Sequence, residues 1–83
     1  MTNEVAVSMK IFLEDYDRIN ETMDEINKII KISDTKIEEL GFGIKILKII
    51  FLMPDTGGID EIETQISALS NIRQAQTERV SRI

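Results

Sequence analysis

The sequence predicts an α+β protein whose elements follow in the order β-α-β-β-α-β. Three observations predict this class: an alternating apolar segment near the N-terminus, a long apolar segment after residue 43, and an amphipathic segment after each of them. A period of two is typical of strands, and apolar spacings of three and four are typical of helices. With 83 residues the chain has the length of one domain, because two halves would each be too small for a stable core.

The first half of the chain contains a predicted strand, helix and edge strand. Residues 5–13 alternate between apolar and other side chains, with Phe12 as the exception on the polar side. Residues 16–30 carry one apolar stripe with charged residues outside it, which predicts a helix ending near Ser33 and Asp34. The short segment 35–40 predicts an edge strand, because its charges would be out of place in the centre of a sheet.

The second half begins with a Gly-Phe-Gly break at residues 41–43. Residues 44–53 then predict a long central strand, because both of its faces are largely apolar. The segment 54–58 is the clearest loop in the sequence. An amphipathic pattern predicts a second helix over 59–69, and weak alternation predicts a final edge strand over 72–83.

This order is the split βαβ arrangement of the ferredoxin-like plait. Right-handed crossovers place both helices on one face of a four-stranded antiparallel sheet, with the first and third strands in the middle. Because the third strand is apolar on both sides, one of its two faces must lie on the open side of the sheet. An apolar patch there indicates a surface for a partner or for self-association. The two alternative sets are Ile44, Ile46, Ile50 and Leu52, or Leu47, Ile49, Phe51 and Met53.

Composition argues against an enzyme with its own catalytic centre. The chain has no cysteine and no histidine, which removes disulfides, thiolate nucleophiles, cysteine-based zinc sites and the most common general base. Its paired acids are explained by helix capping and solvation. The loop 54–58 is too short for a phosphate-binding loop and lacks its lysine. We therefore expect no catalytic residue, no bound metal and no cofactor.

Charge and hydropathy also limit the partners. A net charge of −5 argues against a nucleic-acid surface, which needs clustered Lys and Arg. The longest apolar run, 44–53, includes two lysines and has about half the length that spans a bilayer. The N-terminal segment lacks the pattern of a signal peptide. We expect a cytoplasmic protein that binds neither nucleic acid nor a membrane; the sequence leaves its oligomeric state open.

The turn at Gly41, Phe42 and Gly43 allows two interpretations. The glycines permit backbone angles that other residues avoid, so the segment can be a tight hairpin with a buried Phe42. Alternatively the Phe42 side chain points outward from the turn as an exposed contact residue, since aromatic side chains provide large contact area for little conformational entropy. Both alternatives remain open at this point.

Several motifs in a fixed order resemble translation elongation factor 1-beta. These are GFGIK before an apolar strand, the loop PDTGG, the helix IDEIETQISAL and a final strand ending in Arg82 and Ile83. The resemblance covers essentially the whole chain, is best from Gly41 onward, and fits the short archaeal form, with a single exchange domain over residues 1–83. It implies the ferredoxin-like plait and exchange of GDP for GTP on the GDP-bound form of elongation factor 1-alpha.

The resemblance also implies a contact surface. In the eukaryotic relatives a penultimate lysine reaches toward the magnesium and phosphate site, and a Phe in the GFGIK turn contributes to the interface. Arg82 and Phe42 occupy these positions; Arg82 departs from lysine by its bulkier, planar guanidinium. The predicted partner-binding residues are Phe42, Lys45, Arg79, Arg82 and Ile83.

The competing prediction is a small regulatory or RNA-binding plait. The RNA-recognition motif shares this fold and stacks bases on aromatic residues of its third strand. Here Leu40 stands at its basic position, and Ile44 and Ile46 stand at its aromatic positions. The sequence therefore favours protein binding over RNA binding.

Overall fold

A computed structural model of the chain describes residues 4–55 and 57–82. Over this part of the chain the predicted order β-α-β-β-α-β is confirmed, with a short 3-10 turn at Tyr16–Arg18 before the first helix. The elements are β1 (Glu4–Leu13), α1 (Ile19–Ile29), β2 (Ile32–Gly41), β3 (Ile44–Pro54), α2 (Ile59–Ser67) and β4 (Ile72–Arg82).

The strands form an antiparallel sheet in the order β2-β3-β1-β4. The two central strands are therefore β1 and β3, as their apolar content predicts. Ile26 of α1 and Ile66 of α2 are buried in one core together with residues of β1 and β3, so both helices cover the same face. The predicted ferredoxin-like plait is confirmed.

The sequence leaves open which of the two apolar faces of β3 packs against the helices, and the structure decides this. Its residues Leu47, Ile49, Phe51 and Met53 are buried in the core under the helices. Because side chains alternate across a strand, their neighbours in β3 lie on the other side, which we call the open face. Those neighbours are Ile44, Ile46, Lys48, Ile50 and Leu52.

The connection between α1 and β2 differs from the sequence prediction. The helix ends at Ile29, not near Ser33, because Ile30 adopts an extended backbone and Asn27 Oδ1 accepts a hydrogen bond from the Ile32 N–H at 3.1 Å. The strand then begins at Ile32, which lies opposite Phe51 and packs on the core. As a result β2 spans Ile32–Gly41 and is longer than the predicted edge strand 35–40. Similarly, α2 ends at Ser67 and not at Leu69.

A buried asparagine joins the β1–α1 connection to the α2–β4 connection. The Asn71 side chain donates to the Asp15 carbonyl at 2.9 Å and to Thr22 Oγ1 at 2.8 Å, and it accepts from the Asp15 N–H at 2.9 Å. Thr22 is itself buried and donates to the Arg18 carbonyl. This cluster holds together the end of the sheet from which the β2–β3 turn projects, which we call the hairpin end.

Candidate functional site

The β2–β3 hairpin turns at Gly41, Phe42 and Gly43, which all have positive φ angles of 95°, 55° and 75°. Glycine adopts this conformation freely, whereas for a residue with a side chain it costs roughly 1–2 kcal/mol. The Phe42 side chain is fully exposed, with a relative accessibility of 104 %. Of the two alternatives for Phe42, the structure shows the exposed one. An aromatic residue that is strained in its backbone and buries nothing within the chain is suited to an external contact.

A hydrogen bond from the β1–α1 connection holds the start of β3 next to this turn. The Tyr16 hydroxyl donates a hydrogen bond to the backbone carbonyl of Lys45, and Lys45 lies opposite Glu39 in the hairpin. The Lys45 side chain is exposed. Leu40 and Ile44, on either side of the turn, are each about half exposed. The hairpin end thus presents three apolar side chains on a backbone that the sheet fixes.

The other end of the sheet, where β3 leads into Asp55 and β4 reaches Arg82, is called the tail end. Arg82 Nη2 lies 3.2 Å from Asp55 Oδ2, and the Arg82 side chain is 84 % exposed. Arg79 is exposed as well and lies opposite Ser8 at a β-bulge. Ile83, the last of the predicted contact residues, lies outside the described residues.

The predicted contact residues fall into two groups that the structure does not bring together. Val5 pairs with both Met53 and Arg82, so Arg82 lies at the end of β3 opposite to Phe42 and Lys45. The ten residue steps along β3 correspond to about 34 Å, and the molecule is 44 Å long. A partner that contacts both groups must therefore extend along most of the domain.

Between the two ends, the open face carries a row of three lysines on adjacent strands. Lys48 of β3 pairs in register with Lys10 of β1 on one side and with Lys36 of β2 on the other. Like charges directly opposite each other destabilise a sheet. Two carboxylates offset this: Glu78 lies 3.0 Å from Lys10 and 3.7 Å from Lys48, and Glu38 lies 3.1 Å from Lys48. We call Lys10, Lys48 and Lys36 the lysine row.

A shallow pocket of about 110 Å³ adjoins the lysine row. Toward the tail end the open face then becomes apolar, with Ile50 and Leu52 exposed by 37 % and 45 %. Ile46 belongs to the same face of β3 but is only 3 % exposed, so the apolar patch is smaller than the sequence suggests. The pocket is lined by Ser8, Asp34, Thr35, Lys36, Lys48 and Ile50.

Comparison with known proteins identifies the family of this fold and surface. Residues 6–83 match the model of the EF-1 guanine nucleotide exchange domain. The chain belongs to that family. It is 34 % identical to the elongation factor 1-beta of Methanocorpusculum labreanum, over 96 % of both chains. It is also 29 % identical to the elongation factor 1-beta of Thermoplasma volcanium, over 96 % of this chain and 98 % of that one. The resemblance inferred from the motifs is confirmed.

Family membership gives the chain a nucleotide-exchange role in translation elongation. Within the described ranges, no cluster of three or more acidic, His or Cys residues is arranged to hold a metal ion. Neither of the helices described, α1 or α2, is long and apolar enough to cross a membrane. The candidate functional site of this exchange domain consists of the hairpin end and the tail end, with the open face between them.

The ion pairs of the open face shift the titration of two groups in this exchange domain. The hydrogen bond from Lys10 is the main reason that the pKa of Glu78 lies below its ordinary value, and the Lys48 charge acts in the same direction. The hydrogen bond to Glu38 is the main reason that the pKa of Lys48 is raised. Both groups therefore favour their charged forms in the folded domain.

We expect Glu78→Gln to reduce stability at pH 7 but not in acid. A carboxyl group whose folded pKa is depressed contributes stability above its unfolded pKa, and that contribution disappears as the pH falls through the folded pKa. The variant should therefore be less stable than wild type at pH 7; the difference should begin to shrink near the ordinary carboxyl pKa of 4.5 and disappear below the lower pKa of the folded state. Urea unfolding from pH 7 to pH 2.5 measures this, with Asp24→Asn on the exposed side of α1 as the control. A difference that stays constant with pH would contradict the assignment.

The lysine row could not be predicted from the sequence. Lys10, Lys36 and Lys48 are far apart in sequence, and only the register of two strand pairs brings them side by side. The separation of Phe42 from Arg82, in contrast, could have been predicted from the topology of the fold. The strand order of the plait already places the β2–β3 turn and the end of β4 at opposite ends of the sheet.

Proposed function

We propose that this exchange domain promotes the exchange of GDP for GTP on elongation factor 1-alpha by binding the GDP-bound GTPase, with no catalytic residue of its own. The observation that carries the proposal is Arg82, an exposed cation at the tail end of β4. Magnesium and phosphates hold GDP mainly by electrostatics, so a cation brought to that site competes with the metal. Nucleotide is released if the GTPase has a conformer that binds the factor better than it binds GDP.

The ion pair between Arg82 and Asp55 is compatible with this role. Both side chains are on the surface, where such pairs contribute roughly 0–1 kcal/mol. Arg82 can therefore exchange Asp55 for acidic groups of a partner at little cost. In the free factor the same pair limits the directions in which the long side chain points.

Phe42 and Lys45 supply a second point of attachment in this proposal. A fully exposed ring on a glycine-flanked turn loses little conformational entropy when it enters a pocket of the partner. Because it lies at the hairpin end, Phe42 would contribute to affinity without reaching the nucleotide site that Arg82 approaches. The two ends are thus expected to affect different kinetic parameters.

The open face gives less support to the RNA-binding alternative. In the centre of the open face, β3 contributes Ile46, Lys48 and Ile50. None of these is aromatic, and base stacking needs aromatic rings. Glu38 and Glu78 hold the ammonium groups of Lys48 and Lys10, which would otherwise face phosphates. We propose a cytoplasmic factor that acts on a protein partner.

The test is the release of a fluorescent GDP analogue from elongation factor 1-alpha, measured against factor concentration. We expect Arg82→Ala to lower the maximal stimulated rate by about tenfold, equivalent to about 1.4 kcal/mol. Phe42→Ala should instead raise the half-saturating concentration by about fivefold, as expected for loss of an aromatic contact. Lys28→Ala is the control, because Lys28 is an exposed cation on α1 and not on the sheet.

The outcomes separate the site assignment from the function. Full activity of both Arg82→Ala and Phe42→Ala would reject these residues as the contact site. A wild-type factor that fails to accelerate GDP release would reject the proposed function itself. Circular dichroism of each variant controls for loss of the fold.

A further inference from the structure

We propose that Tyr16 is a positioning residue of this exchange domain: its hydroxyl holds the hairpin end in the orientation in which Phe42 contacts the GTPase. This inference rests on the proposed function and deepens it, because it assigns a role to a residue that does not itself touch the partner. The Tyr16 hydroxyl donates to the backbone carbonyl of Lys45, three residues beyond Phe42 along the chain. The contact joins the β1–α1 connection to the start of β3.

The hydroxyl contact lies where the sheet supports the hairpin from one side alone. The register of β1 with β3 ends at Ile11 opposite Leu47. The register of β2 with β3 continues beyond that point, to Gly41 opposite Ile44. Because β2 is an edge strand, the hairpin extends past Leu47 as a two-stranded ribbon. A two-stranded ribbon by itself is marginally stable in water, so an additional contact there has a large influence on its position.

The Tyr16 hydroxyl bridges β1 and β3 beyond the end of their ladder. Continued by two residues, the register of these strands would set Leu13 opposite Lys45. The hydroxyl interacts with the backbone of both residues, as donor to the Lys45 carbonyl and through a hydrogen bond with Leu13. Burial is the main reason that the pKa of Tyr16 is raised, and the hydrogen bond with Leu13 acts in the opposite direction. The hydroxyl therefore keeps the proton that it donates to Lys45 at neutral pH.

Tyr16 is itself fixed by the residue that precedes it. The N–H and the carbonyl of Asp15 both bind the buried Asn71 side chain, at 2.9 Å each. The Asp15 carboxylate accepts from the Asp17 N–H at 3.0 Å and caps the 3-10 turn that begins at Tyr16. The tyrosine ring packs against the core. A side chain that is already ordered in this way can fix the hairpin at little further cost in conformational entropy.

A fixed hairpin end favours association because the Phe42 side chain is fully exposed. Its direction is therefore set by the backbone of the turn. A segment that is already ordered in its bound conformation loses less conformational entropy when the partner binds. Loss of the Tyr16 hydroxyl should thus weaken binding of the GTPase. It should leave the maximal rate unchanged, because the proposed function assigns that rate to Arg82 at the tail end.

The experiment replaces Tyr16 by phenylalanine, which removes the hydroxyl and keeps the ring that packs against the core. In the GDP-release assay, Tyr16→Phe should raise the half-saturating concentration by about threefold at an unchanged maximal rate. In the Phe42→Ala background the same substitution should change it by less than about 1.5-fold, because the residue that Tyr16 positions has been removed. Thr64→Val is the matched control. It removes a hydroxyl that also donates to a backbone carbonyl, that of Asp60 in α2, and should change neither parameter.

Amide hydrogen exchange of the free factor tests the positioning separately from activity. In Tyr16→Phe we expect the protected amides of the hairpin, within residues 37–46, to exchange about tenfold faster than in wild type. The amides of Val7 and Met9 in the centre of the sheet should keep their wild-type rates. Equal acceleration of both groups would indicate a general loss of stability and would overturn the inference.

The two assays distinguish failure of this inference from failure of the proposed function. If the wild-type factor is active and Tyr16→Phe matches Thr64→Val, the inference is overturned and the proposed function stands. The inference is likewise overturned if Tyr16→Phe has the same effect with and without the Phe42 side chain. If the wild-type factor does not accelerate GDP release, the proposed function is rejected, and the inference with it.

Discussion

Replacement of Asn71 by alanine is expected to lower the free energy of unfolding by about 2–4 kcal/mol. The side chain is only 3 % exposed, and its three hydrogen bonds use both amide protons and the carbonyl oxygen. A net hydrogen bond contributes roughly 1 kcal/mol, and a buried polar group left without a partner costs about 1–3 kcal/mol. Water can replace the partner of Asp15, which is exposed, but it reaches the buried Thr22 hydroxyl less easily. Urea unfolding at pH 7 measures the loss.

Asn27→Ala is the matched control for this substitution. Asn27 is an exposed asparagine near the end of α1 whose side chain accepts a single hydrogen bond, from the Ile32 N–H. Because water can replace that bond, we expect a loss below about 1 kcal/mol. Equal losses for the two variants would show that the buried cluster around Asn71 contributes nothing beyond one ordinary contact.

The central strands could be predicted from sequence because their pattern is long and unambiguous. Residues 5–13 alternate over nine positions, and residues 44–53 are apolar almost throughout, so both strands and their central place in the sheet follow. The α1–β2 boundary was not predictable in the same way. Ile29, Ile30 and Ile32 continue an apolar run that suits a helix or a strand, and the core contact of Ile32 opposite Phe51 decides for the strand.

The site was predictable only in part, because it depends on strand register. The sequence identifies Phe42 as a candidate and leaves its exposure undecided; the structure shows its side chain fully exposed at a turn of three positive φ angles. The lysine row requires the pairing of β3 with both of its neighbours, and bulges at Ile32/Asp34 and Glu39/Gly41 shift the pairing of β2 with β3. Alternation within one strand carries no information about such shifts.

Phe51→Ala is expected to have the largest effect on stability, about 3–5 kcal/mol. Phe51 is completely buried in the core, where it pairs with Val7 and Ile32 across the sheet. The substitution removes most of a large side chain and leaves a cavity that a close-packed core closes only partly. This is a large fraction of the roughly 5–15 kcal/mol of a typical domain. Phe51→Leu, which keeps more of the volume, should therefore be measured as well and should cost less.

Leu52→Ala tests the other side of the same strand. Leu52 is adjacent to Phe51 but lies on the open face with 45 % of its surface exposed, so we expect a loss of stability below about 1 kcal/mol. A large loss of stability for Leu52→Ala with a small one for Phe51→Ala would mean that β3 presents the opposite face to the helices. Lys48 would then lie under the helices, where burial of its charge would be costly.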